Sequence, residues 1–285
     1  MSQLSLVFFT VLAQSAVGMF IALGLVEMLF KPNEKAMSQS MTRSFIAVFV
    51  LLGIGAVASV THLGQPLRMF NVMFGLAHGS ALSLEIVGLS LFGGAGAAYT
   101  GMRLFNLMPA IRKMLLPVAM VLGVVFILAI ANVYTLATVP TWNTPFTSFQ
   151  FLMTAAVLGP IAAAVMLRAQ SASMGELGAK ADRTLAVSAA GFGLIALMGY
   201  AAYLVWLGQL NVHVNPFEVV DYSFRLALVR VGLLLAGVLF WLVSAVKGNC
   251  NAKHVAIASF VLVLVSEFMG RAFFYDVYIS ASAGM

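Results

Sequence analysis

The sequence predicts an all-α fold: a polytopic integral membrane bundle of eight transmembrane helices, with both termini periplasmic. Three observations carry this. The chain of 285 residues is 62% hydrophobic and 8% charged, with a mean hydropathy of +1.04, whereas about a quarter of a soluble domain is charged. Residues 114–167, between Lys113 and Arg168, hold no charged side chain and are interrupted only by the polar turn TVPTWNTP at 138–145. As one helix that stretch would run roughly 80 Å, against a bilayer core of about 30 Å, so it is read as two crossings and a turn. Finally, the basic residues gather in alternate loops. No short alternating strands of the outer-membrane barrel kind occur.

The first crossing is expected at 4–30. No Lys or Arg precedes Lys31, so the segment lacks the basic start of a cleaved signal and is expected to remain as a helix. The others follow at 44–62, 81–101, 115–138, 148–169, 184–208, 226–246 and 255–276, within a single transmembrane domain spanning 1–285. The segment 62–80 is too long and apolar for a plain turn and too short to cross, so it is expected to lie in the interface or dip back. Lys31, Lys35, Arg43, Arg103, Arg112, Lys113, Arg168, Lys180, Arg183, Lys247 and Lys253 all fall in odd-numbered loops, leaving only Arg68, Arg225, Arg230 and Arg271 elsewhere. By the positive-inside rule the odd loops face the cytoplasm. The net charge of +6 thus reads as a topology signal, not as a nucleic-acid surface. Gly53 and Gly55 in the second span, and Gly93, Gly94 and Gly96 in the third, suit close helix packing. No internal repeat is visible by eye.

A lone cysteine, Cys250, excludes a disulfide framework and an internally ligated iron–sulfur cluster. No dinucleotide, Walker or zinc signature occurs. The informative residues are therefore the ionisable ones inside the bilayer. His62 ends the second span, Glu85 opens the third, and Arg68 lies between them. Arg225 and Arg230 open the seventh, and Glu267 and Arg271 lie in the outer half of the eighth. All gather toward the outer leaflet. Each also has a plainer reading. Glu267 and Arg271, four residues apart, can neutralise one another; Glu27 and Lys31 can do so by snorkelling at the end of the first span. Arg225 and Arg230 can be interfacial anchors, while His78, His213 and His254 fall in loops or at helix ends. As a group, the outer-leaflet residues suit proton-coupled oxidation of a lipid-soluble quinol. That chemistry needs a base near a hydroxyl, a relay to water and a cation to stabilise negative charge.

HLGQPLRMFN (62–71) followed by SALSLEI (80–86), TVPTW (138–142), DY (221–222) and SEFMGRAFFY (266–275) resemble the membrane-anchor subunits of the dimethyl sulfoxide reductase family. The resemblance is spread over the chain and weakest at about 171–220. It implies an anchor in the bacterial inner membrane that holds a molybdopterin catalytic subunit and an iron–sulfur electron-transfer subunit, and that oxidises menaquinol for them. It implies no haem and no iron–sulfur cluster in this chain; the four scattered histidines also offer no bis-histidine pair. His62 and Glu85 correspond to the residues acting on menaquinol. Arg68, Glu267, Arg271 and Tyr275 fall within family motifs, and Arg230 corresponds, after a one-residue gap, to the arginine before the seventh span. A related polysulfide- or nitrite-reductase-type anchor, a secondary transporter, and an anchor without a redox role stand as alternatives.

Overall fold

A computed structural model describes residues 4–32, 34–60, 71, 74–210, 215–219, 224–248 and 252–281. The described residues form helices α1 (Leu4–Phe30), α2 (Lys35–Val60), α3 (Ala81–Leu104), α4 (Pro109–Tyr134), α5 (Pro145–Ala169), α6 (Ser171–Gly208), the short α7 (Pro216–Val219), α8 (Phe224–Val246) and α9 (Lys253–Asp276). All but α7 are long and apolar enough to cross a membrane, eight in number. The chain is a multi-pass membrane protein.

Helix boundaries depart from expectation where charged residues are absorbed into helices. Helix α2 begins at Lys35 and α4 at Pro109, so Arg43, Arg112 and Lys113 lie on helical turns with their heads at the bundle end. Proline at the first position of α4 and α5 lacks only an N–H that would be unbonded there anyway. Helix α4 stops at Tyr134 instead of reaching 138, because 135–144 form an ordered turn capped by Thr144. Helix α6 starts at Ser171 and bends at Gly175 (φ 49°, ψ −140°), so most of the expected loop 170–183 is helical. A backbone with that φ favours glycine.

Helix α1 is apolar on all sides and buried along most of its length, as a helix at the centre of a bundle must be. It packs on α2, α4, α5 and α9. Its crossing with α5 is a backbone contact: a side chain on Gly18 would run into Ala155 O, and one on Gly159 into the Gly18 backbone. Gly55 meets α1 at Leu12, and Gly96 meets Phe20 and Phe49, as packing glycines should. Gly53, Gly93 and Gly94 have no described neighbour where a side chain would stand, so the sequence overstated their role.

Two four-helix halves pack by one scheme. In the first, α1 lies on α2, α3 on α4 and α1 on α4; in the second, α5 lies on α6, α8 on α9 and α5 on α9. Tyr134 and Tyr275, which hydrogen-bond to each other, are 141 residues apart. The same offset carries Gly18 onto Gly159, Glu27 onto Arg168 and Arg103 onto Ser244. Four crossings return the chain to the side where it started, so the halves run parallel and α1 begins at the end of the bundle where α9 finishes.

The opposite end holds two ion pairs, one of them buried on both sides, that replace sequence expectations. Arg103 pairs with Glu27, so Glu27 is not matched with Lys31. The Arg103 guanidinium also donates to Thr42 Oγ1 (3.1 Å) and Ser38 O (3.2 Å). Arg168 is bidentate to Asp182 (2.9 and 2.7 Å) and donates to Ser244 Oγ (3.1 Å) and Ala252 O (3.2 Å), while Trp241 Nε1 donates to Asp182 (3.1 Å). Both arginines are buried rather than loop residues. Removing one member of such a pair strands a buried charge, at a cost of about 3–5 kcal/mol. Asp182→Ala should therefore lower the thermal unfolding midpoint in detergent sharply, and Arg168→Met with Asp182→Leu should recover much of the loss. Gly159→Leu should prevent recovery of a monodisperse bundle on size-exclusion chromatography, whereas Gly94→Ala should leave it unchanged.

Candidate functional site

One face of α9 brings most of the expected site residues together. Glu267, Arg271 and Tyr275 recur every fourth residue, so they share that face, and all three are buried. It meets Gln14 of α1, Thr154 of α5 and Tyr134 of α4. Arg271 donates to Gln14 Oε1 (2.9 Å) and Thr154 Oγ1 (3.3 Å), and Thr154 Oγ1 lies 2.5 Å from Glu267 Oε2. Glu267 and Arg271 are thus joined through a threonine on another helix, not by the direct pair their spacing allows. The Arg271 guanidinium also lies 3.5 Å from the Phe151 ring centroid, a cation–π contact that partly offsets its burial.

Arg230 reaches this cluster from α8 and is no interfacial anchor; Arg225, by contrast, is exposed. The Arg230 guanidinium stacks 4.0 Å from the Tyr200 ring centroid and lies directly on Gly270, where a side chain would collide with it. This is the physical reason for glycine in the SEFMGR string. Ser266 Oγ donates to Arg230 O (2.8 Å), tying α8 to α9 at the same level.

The TVPTW turn supports the cluster from the end. Trp142 Nε1 donates to Phe274 O (2.6 Å) and its ring stacks on Phe274, with centroids 5.3 Å apart. Thr147 Oγ1 donates to Trp142 O (2.6 Å), and Ala281 N donates to Thr138 O (2.8 Å). These contacts hold the end of α9 so that Tyr275 Oη meets Tyr134 Oη at 2.7 Å. Glu85, in the first turns of α3, is 7% exposed and lies within electrostatic reach of both tyrosines. Among the described residues, no side chain hydrogen-bonds to it.

Several buried donors here lack acceptors among the described residues: Gln14 Nε2, Gln150 Nε2, Arg230 Nη1, and Arg271 Nε and Nη1. Gln150, Thr154, Tyr200, Arg230, Glu267 and Arg271 line a cleft of about 20 Å³. That is room for a water molecule, not for a ring. The donors suit an oxygen acceptor, so a quinone headgroup would have to present its oxygen toward this cluster from outside the cleft. Residues His62 and Arg68 lie outside the described residues, as does His213. His78 and His254 are exposed, as their end positions implied. Sequence reasoning missed Gln14, Thr154, Tyr134 and Tyr200, since single polar residues in apolar helices show no pattern until their helices meet. The EFMGRAFFY spacing was the one available signal for their partners.

These features define a class: a multi-pass helical bundle of two parallel four-helix halves, with a buried polar cluster at the end shared by its termini. Residues 1–277 match the family model described as DMSO reductase anchor subunit (DmsC), and the chain belongs to that family. It is 34% identical over 278 residues to the anaerobic dimethyl sulfoxide reductase subunit YnfH of Escherichia coli, covering 96% of this chain and 94% of that one. It is 34% identical over 287 residues to the C subunit of anaerobic dimethyl sulfoxide reductase from the same organism, with the same coverage. The corresponding C subunit from Haemophilus influenzae is 30% identical, covering 98% of this chain and 95% of its own length. The chain is thus a membrane anchor subunit of a dimethyl sulfoxide reductase complex.

Arg271→Ala would remove the group to which Gln14 and Thr154 converge and leave Glu267 buried without its cation. It should cost about 3–5 kcal/mol, read as a lowered unfolding midpoint. Thr154→Val, which removes only the bridging hydroxyl, should cost about 1–3 kcal/mol.

Proposed function

We propose that this anchor oxidises menaquinol at the termini-bearing end of the bundle and passes the electrons to an iron–sulfur subunit of its complex. The observation that carries the reading is the convergence of Glu85, Tyr134, Tyr275, Arg271 and Glu267, from α3, α4 and α9, on one buried locus at that end. The family supports it, because an anchor of a respiratory reductase must connect a membrane electron donor with a catalytic subunit outside the bilayer.

Menaquinol supplies two electrons and two protons on becoming menaquinone, so the site needs proton acceptors on this chain and an electron acceptor on the next. His62 and Glu85 accept the two hydroxyl protons. Glu85 is suited to this by sitting in the first turns of α3, where a proton has a short path to the water at that end. Arg271 and Arg230 supply a positive field of fixed geometry, and Arg68 adds to it from the segment beside His62. Tyr275 and Tyr134, hydrogen-bonded to each other, lie within electrostatic reach of both Glu85 and Arg271.

The basic residues at the opposite end support a site on the periplasmic side of a bacterial inner membrane. The electron-transfer subunit and its molybdopterin catalytic partner dock on that same face. Protons and electrons then leave on one side, and turnover moves no net charge across the membrane. A secondary transporter is disfavoured by the displacement of Glu85, Arg230, Arg271 and Tyr275 from the helix midpoints toward one half of the bundle.

In the assembled complex, His62→Leu and Glu85→Gln should each lower quinol-analogue-driven reduction of dimethyl sulfoxide at least about 100-fold. Reduction driven by a soluble artificial dye should stay at wild-type level. Equal loss of both activities, or failure to assemble, would make these residues structural and overturn the reading.

A further inference from the structure

The other end of the first half contains a larger cavity that quinol oxidation does not use. It has a volume of about 710 Å³ and is lined by Glu27, Lys31, Tyr99, Arg103, Arg112 and Lys113, with Met28 and Leu116 as apolar wall. This size falls within the usual range of small-ligand sites.

Its polar groups are incompletely matched. Glu27 pairs with Arg103, but Lys31, Arg112 and Lys113 have no carboxylate partner among the described residues, leaving three cations around one opening. Tyr99 is 1% exposed, and its Oη lies against both members of the Glu27–Arg103 pair, short of full hydrogen-bond geometry with either. Glu27 Oε2 is likewise buried without a donor among the described residues. A ligand for this cavity therefore carries a negative charge for the three cations and hydroxyl donors for Glu27, and tolerates an apolar wall.

The second half supplies an internal control. At the equivalent position Arg168 is satisfied by Asp182, Ser244 and Ala252 O, with Trp241 closing over Asp182. No atom of Arg168 or Asp182 is left without a partner. One scheme of packing thus gives a fully bonded ion pair beside a smaller cavity of about 260 Å³ in one half, and a larger, cationic cavity with orphaned polar atoms in the other.

We propose that this cavity binds the phosphate of an anionic glycerophospholipid headgroup. Lys31, Arg112 and Lys113 hold the phosphodiester, and Tyr99 and Glu27 meet the glycerol hydroxyls. Basic pockets between transmembrane helices suit such headgroups. Exposed apolar residues next in sequence to the lining residues, among them Leu104, Phe105, Ile111 and Met114, offer the acyl chains a surface.

The test uses the assembled complex after exhaustive delipidation in detergent, titrated with phosphatidylglycerol, phosphatidylcholine or inorganic phosphate. Native mass spectrometry and the thermal midpoint of this subunit are the readouts. Phosphatidylglycerol should bind and raise the midpoint by on the order of 5 °C, while phosphatidylcholine and millimolar phosphate should do neither. Lys31→Ala with Arg112→Ala and Lys113→Ala should weaken phosphatidylglycerol binding at least about tenfold. Tyr99→Phe, which keeps the packing, should weaken it less. Lys247→Ala with Lys253→Ala, at the same end of the other half, should leave it unchanged. Equal binding of phosphatidylcholine, equal loss in the Lys247/Lys253 variant, or a shift reproduced by inorganic phosphate would overturn the assignment. The lipid comparison on unmutated protein decides the matter even where the triple variant fails to fold.

Discussion

Helices α1 and α5 touch backbone to backbone where Gly18 meets Gly159, and the arrangement of the other crossings depends on that contact. In lipid no hydrophobic gain draws helices together, so close approach and van der Waals packing must do so. Two glycines at equivalent places in two parallel halves allow the halves to meet along their first helices. Gln14 of α1 and Thr154 of α5 lie about one turn from this crossing, toward the termini-bearing end. Both then face Arg271 of α9. The polar cluster is therefore a consequence of how closely two backbones approach.

The Arg168–Asp182 pair and the cluster around Arg271 handle buried charge differently. At one end, the Arg168–Asp182 arrangement satisfies every group and fastens α5 to α6 and α8. At the end bearing the termini, Arg230 and Arg271 sit against aromatic rings, and several of their donors have no acceptor among the described residues. A fully matched network resists change, whereas an incompletely matched one can respond to an arriving oxygen or a changing charge.

Much of this was legible in the sequence. Eight crossings followed from hydropathy and from the charge-free stretch 114–167, since lipid enforces long apolar helices. The gathering of Glu85, Glu267, Arg271 and Arg230 at one end followed from counting crossings. What was not legible depended on which helices touch. Arg168 and Arg103 read as loop residues because they stand at helix ends, yet each is buried by a partner distant in sequence. The i, i+4 spacing of Glu267 and Arg271 implied a direct pair, but Thr154 of α5 stands between them. The repeat was invisible by eye because lipid-facing positions accept any apolar residue, leaving few identities to compare.

A quinol headgroup received beside Glu85, at the end of the bundle shared by the two termini, is the central functional claim. A density map of the assembled complex with a quinol-site inhibitor bound tests it most directly. The inhibitor's ring should lie within hydrogen-bond distance of the Glu85 carboxylate, with the cluster around Tyr275 and Arg271 behind it. A ring lodged at the far end, beside Glu27 and Arg103, would contradict the claim.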